Sequence, residues 1–123
     1  MGVSSRLIFY IDDEESIGLI AQGYINKHLK GVMTKVFTSG HDALAEYKKV
    51  VPDVIITDYN RTKDSTSTLE FLELVRKDPR PQKSKIILVS SSDEAATVEH
   101  LVDVRLRKPI ILNELAAVIK KFN

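Results

Sequence analysis

Three short apolar runs constrain this chain more than anything else in it. Residues 7–11 (Leu-Ile-Phe-Tyr-Ile), 54–56 (Val-Ile-Ile) and 85–89 (Lys-Ile-Ile-Leu-Val) are too short for helices, rich in β-branched side chains, and bounded by charged residues or proline. Runs of this kind read as strands buried on both faces, the mark of a parallel sheet covered on two sides.

Between the runs the apolar period changes to that of helices. Ile17, Ile20, Ala21, Tyr24, Ile25 and Leu29 predict a first helix over residues 15–29, with acidic residues in its first turn where the helix dipole favours them. Residues 33–38 read as a second strand, and 41–50 as a helix carrying Ala43, Leu44 and Tyr47. Leu69, Leu72 and Val75 mark a third helix, with Ser67 and Glu70 spaced as a capping box. Ser91 and Glu94 are spaced the same way before Ala95, Val98, Leu101 and Val102, which predicts a short fourth helix. A brief strand at 104–106 and a fifth helix carrying Leu112, Leu115, Ala116 and Ile119 complete the order. Five strands alternating with five helices predict a doubly wound, five-stranded parallel sheet of order 2-1-3-4-5 in a flavodoxin-like three-layer α/β sandwich.

Composition bounds the function. With 123 residues, 43% hydrophobic and 28% charged, one core is expected and the chain reads as a single domain over 1–123. A net charge of +1 without a basic block gives no footprint for nucleic acid. No run of eighteen or so apolar residues is present, so no membrane association is expected. The chain has no cysteine, which removes disulfides and thiolate metal sites and fits a reducing, cytoplasmic setting.

In a parallel sheet every strand ends on the same edge, and ligands bind where the strand order reverses, here between strands 1 and 3. Strand 1 runs into Asp12 and Asp13, strand 3 into Asp58, strand 4 into Ser90 and strand 5 into Lys108. Each has a plainer reading taken singly: acids at a helix start, a turn former, a strand-end hydroxyl, a solvated lysine. Their delivery to one edge favours a site. Three converging carboxylates repel one another and call for a cation. All-oxygen ligation without His or Cys points to a hard ion, and an open site with few protein ligands suits Mg²⁺. A metal beside Asp58, a hydroxyl and a lysine is set up to hold a phosphoryl group, with Asp58 as nucleophile, Ser90 as donor and Lys108 as counter-charge.

These residues resemble the receiver domain of bacterial two-component response regulators over nearly the whole chain. The motifs are Asp12-Asp13, Thr38-Ser-Gly-His-Asp-Ala-Leu44, Pro52-Asp53 through Asp58-Tyr-Asn60, Ile87-Leu-Val-Ser90, and Lys108-Pro109-Ile110 with Glu114-Leu115. The resemblance implies Asp58 as phosphoacceptor, Mg²⁺ on Asp12, Asp13, Asp58 and the main-chain carbonyl of Asn60, and Ser90 and Lys108 on the phosphoryl group. It also implies a cis Lys108-Pro109 bond. The implied partners are a sensor histidine kinase or phosphotransfer protein and a downstream protein target. The fourth helix, fifth strand and fifth helix would form the responding face and a surface for dimers. Such a chain is a signalling phosphoacceptor rather than an enzyme. Three positions depart from the family pattern: Arg105 stands where an aromatic residue is usual, residues 61–68 lack Pro and Gly, and Ser91 replaces a smaller residue.

Other readings compete. A haloacid-dehalogenase-type aspartyl-phosphate phosphatase needs an Asp two residues after its nucleophile, where this chain has Asn60. A flavin mononucleotide binder would open strand 1 into a Ser/Thr/Gly loop, whereas this strand opens into four acids. A receiver-shaped interaction module that is never phosphorylated is the reading for which Arg105 and the 61–68 loop speak.

Overall fold

The computed structural model describes residues 6–59, 67–91 and 93–122, with the side chains of 93–95 also outside the description. Asn60, most of the 61–68 loop and the Glu94 half of the second capping box therefore lie outside the described residues.

The elements run β1 (Arg6–Ile11), α1 (Glu15–His28), β2 (Val32–Phe37), α2 (Gly40–Tyr47), β3 (Val54–Asp58), α3 (Thr68–Lys77), β4 (Lys85–Ser90), η1 (Asp93–Leu101), β5 (Val104–Arg107) and α4 (Leu112–Lys121). The five strands form one sheet in the order β2-β1-β3-β4-β5, every pair parallel. This is the expected order and architecture.

Strand alternation divides the core into two layers. Phe9, Ile11, Ile55, Ile86 and Leu88 face Ala43, Tyr47, Phe71, Leu72 and Val98 on one side of the sheet. Ile8, Tyr10, Val54, Ile56, Ile87 and Val89 face Ala21, Ile25, Leu115 and Ile119 on the other. Each fully buried Ile, Leu or Phe contributes about 1.5–3 kcal/mol. Both faces of the central strands are thus held, which is why those runs are apolar throughout rather than alternating.

The expected fourth helix is instead a 3₁₀ segment, η1. Its apolar residues Ala95, Val98 and Leu101 recur every third position, the period at which side chains of a 3₁₀ helix eclipse. Along it Val98 is fully buried and Leu101 packs against the same core cluster.

Local contacts fix the other elements. Ser39 and Ser67 accept from the N–H groups of Asp42 and Glu70, each at 3.1 Å, and so cap α2 and α3. Gly18 is required where α1 crosses the sheet: a Cβ there would stand 2.5 Å from Val36 Cγ1. Arg6 donates to the carbonyls of Ile119 and Phe122 at 3.3 and 3.0 Å, tying the end of α4 to the first strand. Among the described residues no helix is long and apolar enough to cross a membrane.

Candidate functional site

Parallel pairing carries the four expected strand ends to one edge. Asp12 follows the last residue of β1, Asp58 is the last residue of β3, Ser90 the last of β4, and Lys108 follows β5. Tyr10 pairs with Ile56 and Ile11 with Thr57, so Asp12 and Asp58 stand at matching heights on neighbouring strands. Carboxylate oxygens of Asp12, Asp13 and Asp58 lie within 4.8 Å of one another. Asp12 and Asp58 are buried, at 3% and 2% exposure, while Asp13 is exposed.

Two groups moderate this crowding. The Lys108 ammonium stands 3.9 Å from Asp58 Oδ2, and the Glu14 N–H donates to Asp12 Oδ1 at 2.9 Å. They do not fully offset burial. Desolvation pushes the Asp12 carboxyl above its ordinary range; the Glu14 N–H and Lys108 pull it down, and the charges of Asp13 and Glu14 push it further up.

Ser90 is buried at the end of β4, and its carbonyl accepts the Lys108 N–H at 3.1 Å. That bond aligns the β5–α4 turn with the site, and the Lys108-Pro109 peptide within the turn is cis, as the motif implied. The last fastening is one that sequence reading overlooked. Thr68, at the head of α3, donates to the carbonyls of Tyr59 and Asp58 at 2.8 and 3.3 Å, securing the backbone that follows the acidic side chain.

Tyr10 was also overlooked. It reads as one more apolar residue of β1, yet period-2 alternation puts it on the same face as Asp12. Burial raises its phenol above the ordinary range, and the charges of Asp12 and Asp58 raise it further. Arg105, on β5 opposite Leu88, has its side chain largely covered and its guanidinium 3.7 Å from Glu99 on η1. It is placed on the η1–β5 face rather than among the carboxylates.

The donor set is all oxygen, anionic, partly buried and open on the Asp13 side, which fits a small hard cation such as Mg²⁺ and gives no soft ligand for zinc or copper.

A family described as "Response regulator receiver domain" matches residues 8–120. The fold is similar to a CheY-like receiver domain from Methylobacillus flagellatus, with a TM-score of 0.80 and 23% identity over 98% of this chain and 100% of that one. It is similar to the chemotaxis protein CheY4 of Vibrio cholerae, with a TM-score of 0.82 and 22% identity over 98% and 100%. The receiver domain of NtrX from Brucella abortus gives a TM-score of 0.78 and 18% identity over 94% and 96%. No curated protein sequence matches the chain.

Proposed function

The chain belongs to the response regulator receiver domain family, whose members typically accept a phosphoryl group in two-component signalling, and on that premise we propose that Asp58 is its phosphoacceptor. The observation that carries the reading is the position of Asp58: a buried carboxylate within 4.8 Å of two others and 3.9 Å from an ammonium.

Asp58 attacks the phosphorus of a phosphohistidine on a sensor histidine kinase or phosphotransfer protein. The new P–O bond forms as the P–N bond to the imidazole breaks, and the imidazole departs with the bonding pair. Lys108 balances the charge of the transferred group, and the Ser90 hydroxyl donates a hydrogen bond to one of its oxygens. Asp12, Asp13, Asp58 and the carbonyl of Asn60 would hold Mg²⁺, which supplies further neutralisation of phosphoryl charge. Asp12 is held in place by the Glu14 N–H on one carboxylate oxygen, which would leave the other for the cation.

The consequence of transfer reaches the outer strand through the Ser90 carbonyl and the Lys108 N–H, which join β4 to the β5–α4 turn. The η1–β5–α4 face would then be the one a downstream protein target or a second receiver reads. In this chain the Arg105–Glu99 pair lies on that face. The test is to offer acetyl phosphate with Mg²⁺ and follow intact mass. A gain of one phosphoryl group in wild type and none in Asp58→Asn supports the proposal; no gain, or an equal gain in the variant, refutes it.

A further inference from the structure

β3 ends at Asp58, whose pairing with Val89 is the last of the ladder with β4. The carbonyls of Asp58 and Tyr59 lie at and just past that end, where main-chain oxygens must find partners outside the ladder. Both find threonine hydroxyls. Thr57 donates to the Asp58 carbonyl at 2.9 Å. Thr68 donates to the Tyr59 carbonyl at 2.8 Å, with a longer reach of 3.3 Å to that of Asp58. A hydroxyl has one proton, so the shorter of these is the principal bond.

A hydroxyl at the head of a helix ordinarily accepts from the helix's own free N–H groups. On α3 that task falls to Ser67, which accepts from the Glu70 N–H at 3.1 Å. Thr68, only 4% exposed, sends its hydroxyl to the end of β3 instead. The helix behind it is anchored, with Phe71 and Leu72 fully buried in the core. Thr68 therefore joins the end of β3 to a rigid element. That junction works against repulsion: oxygens of Asp12, Asp13 and Asp58 lie within 4.8 Å of one another, and their charges push the end of β3 away from that of β1. Lys108 opposes the push with its own charge, 3.9 Å from Asp58 Oδ2. Thr68 opposes it by fixing the backbone.

We propose that Thr68 is a positioning residue for phosphotransfer: its hydroxyl holds the backbone that carries Asp58, keeping the carboxylate where it can share Mg²⁺ with Asp12 and Asp13 and meet the phosphorus in line. The inference rests on the reading of Asp58 as phosphoacceptor. Thr68 makes and breaks no bond in the transfer. Because it acts on orientation, its loss lowers the affinity for Mg²⁺ and also the transfer rate at saturating Mg²⁺.

The experiment measures Mg²⁺ binding by calorimetry and phosphoryl mass gain from acetyl phosphate at saturating Mg²⁺, in wild type, Thr68→Val, Thr68→Ser and Asp58→Asn, each first shown to unfold cooperatively in urea. Thr68→Val keeps the branched shape and removes the proton donor; it should lower the Mg²⁺ affinity and the transfer rate roughly tenfold each. Thr68→Ser keeps the hydroxyl and removes the methyl, and should stay close to wild type in both. Should Thr68→Val fail to fold, Thr68→Ala against Thr68→Ser makes the same comparison. A wild-type value of either quantity in the variant without the hydroxyl, or an equal loss in Thr68→Ser, overturns the inference while leaving Asp58 as acceptor. No mass gain in wild type, or a gain that persists in Asp58→Asn, removes the reading of Asp58 and the inference with it.

Discussion

Lys108 Nζ stands 3.9 Å from Asp58 Oδ2, with the lysine side chain 33% exposed and the aspartate side chain 2% exposed. The cation thus arrives from solvent at a carboxylate fixed inside the sheet edge. Removing one partner of a fully buried pair costs roughly 3–5 kcal/mol, but an ammonium one-third exposed at this distance is worth much less. Lys108→Met should lose about 1–2 kcal/mol in chelator, measured by urea unfolding, with Mg²⁺ narrowing the difference.

Asp58→Asn should have the opposite sign. The substitution relieves repulsion among three carboxylates that lie within 4.8 Å, so in chelator it should be neutral or stabilising by up to about 1 kcal/mol. Calorimetric titration should show weaker Mg²⁺ binding. A clear loss of thermal stability in chelator would count against mutual repulsion in the cluster.

The raised Asp12 carboxyl gives a pH dependence of known sign. Desolvation, its largest cause, makes the folded state hold the Asp12 proton more firmly than the unfolded chain does. The associated stability is present below the ordinary carboxylate pKa, about 4, and is lost as pH rises through the folded value. In metal-free buffer, the stability of wild type relative to Asp12→Asn should fall as pH rises from about 4 towards neutrality. Melting temperatures of the two proteins across that range check it, and a difference that grows in favour of wild type would reverse the assignment.

Two glycines of α1 separate packing from propensity. A Cβ at Gly23 meets nothing within 4 Å, so Gly23→Ala should stabilise by about 0.4–1 kcal/mol. At Gly18 the same gain in helix propensity is opposed by a contact of 2.5 Å with Val36 Cγ1, a stiff β-branched side chain. Overpacking costs about 1–3 kcal/mol, so Gly18→Ala should be destabilising on balance, and Val36→Ala in the same chain should recover most of the loss. Chemical denaturation of the four proteins measures both effects.

Much of this molecule could be read from its residues, for identifiable reasons. Residues 8–11, 54–56 and 86–89 are buried on both faces, so the composition of those runs announced a parallel sheet, and parallel order then placed Asp12, Asp58, Ser90 and Lys108 on one edge. What escaped was weaker in the sequence or depended on distant segments. Ala95, Val98 and Leu101 carry a threefold period that is easily taken for an α-helix, and the chain there forms η1. Thr68 looked like the last polar residue of a loop, yet it fastens the carbonyls of Asp58 and Tyr59. Tyr10 read as an ordinary core residue because its nearness to Asp12 and Asp58 exists only once β1 and β3 stand side by side.

The central claim is that Asp58, and no neighbouring carboxylate, takes the phosphoryl group, and borohydride trapping tests it most directly. Reduction converts an aspartyl phosphate to homoserine, which tandem mass spectrometry locates in the chain. After treatment with a phosphodonor and Mg²⁺, homoserine should appear at position 58 alone, and omission of either reagent should abolish it. Homoserine at position 12 or 13, or at none, would contradict the account.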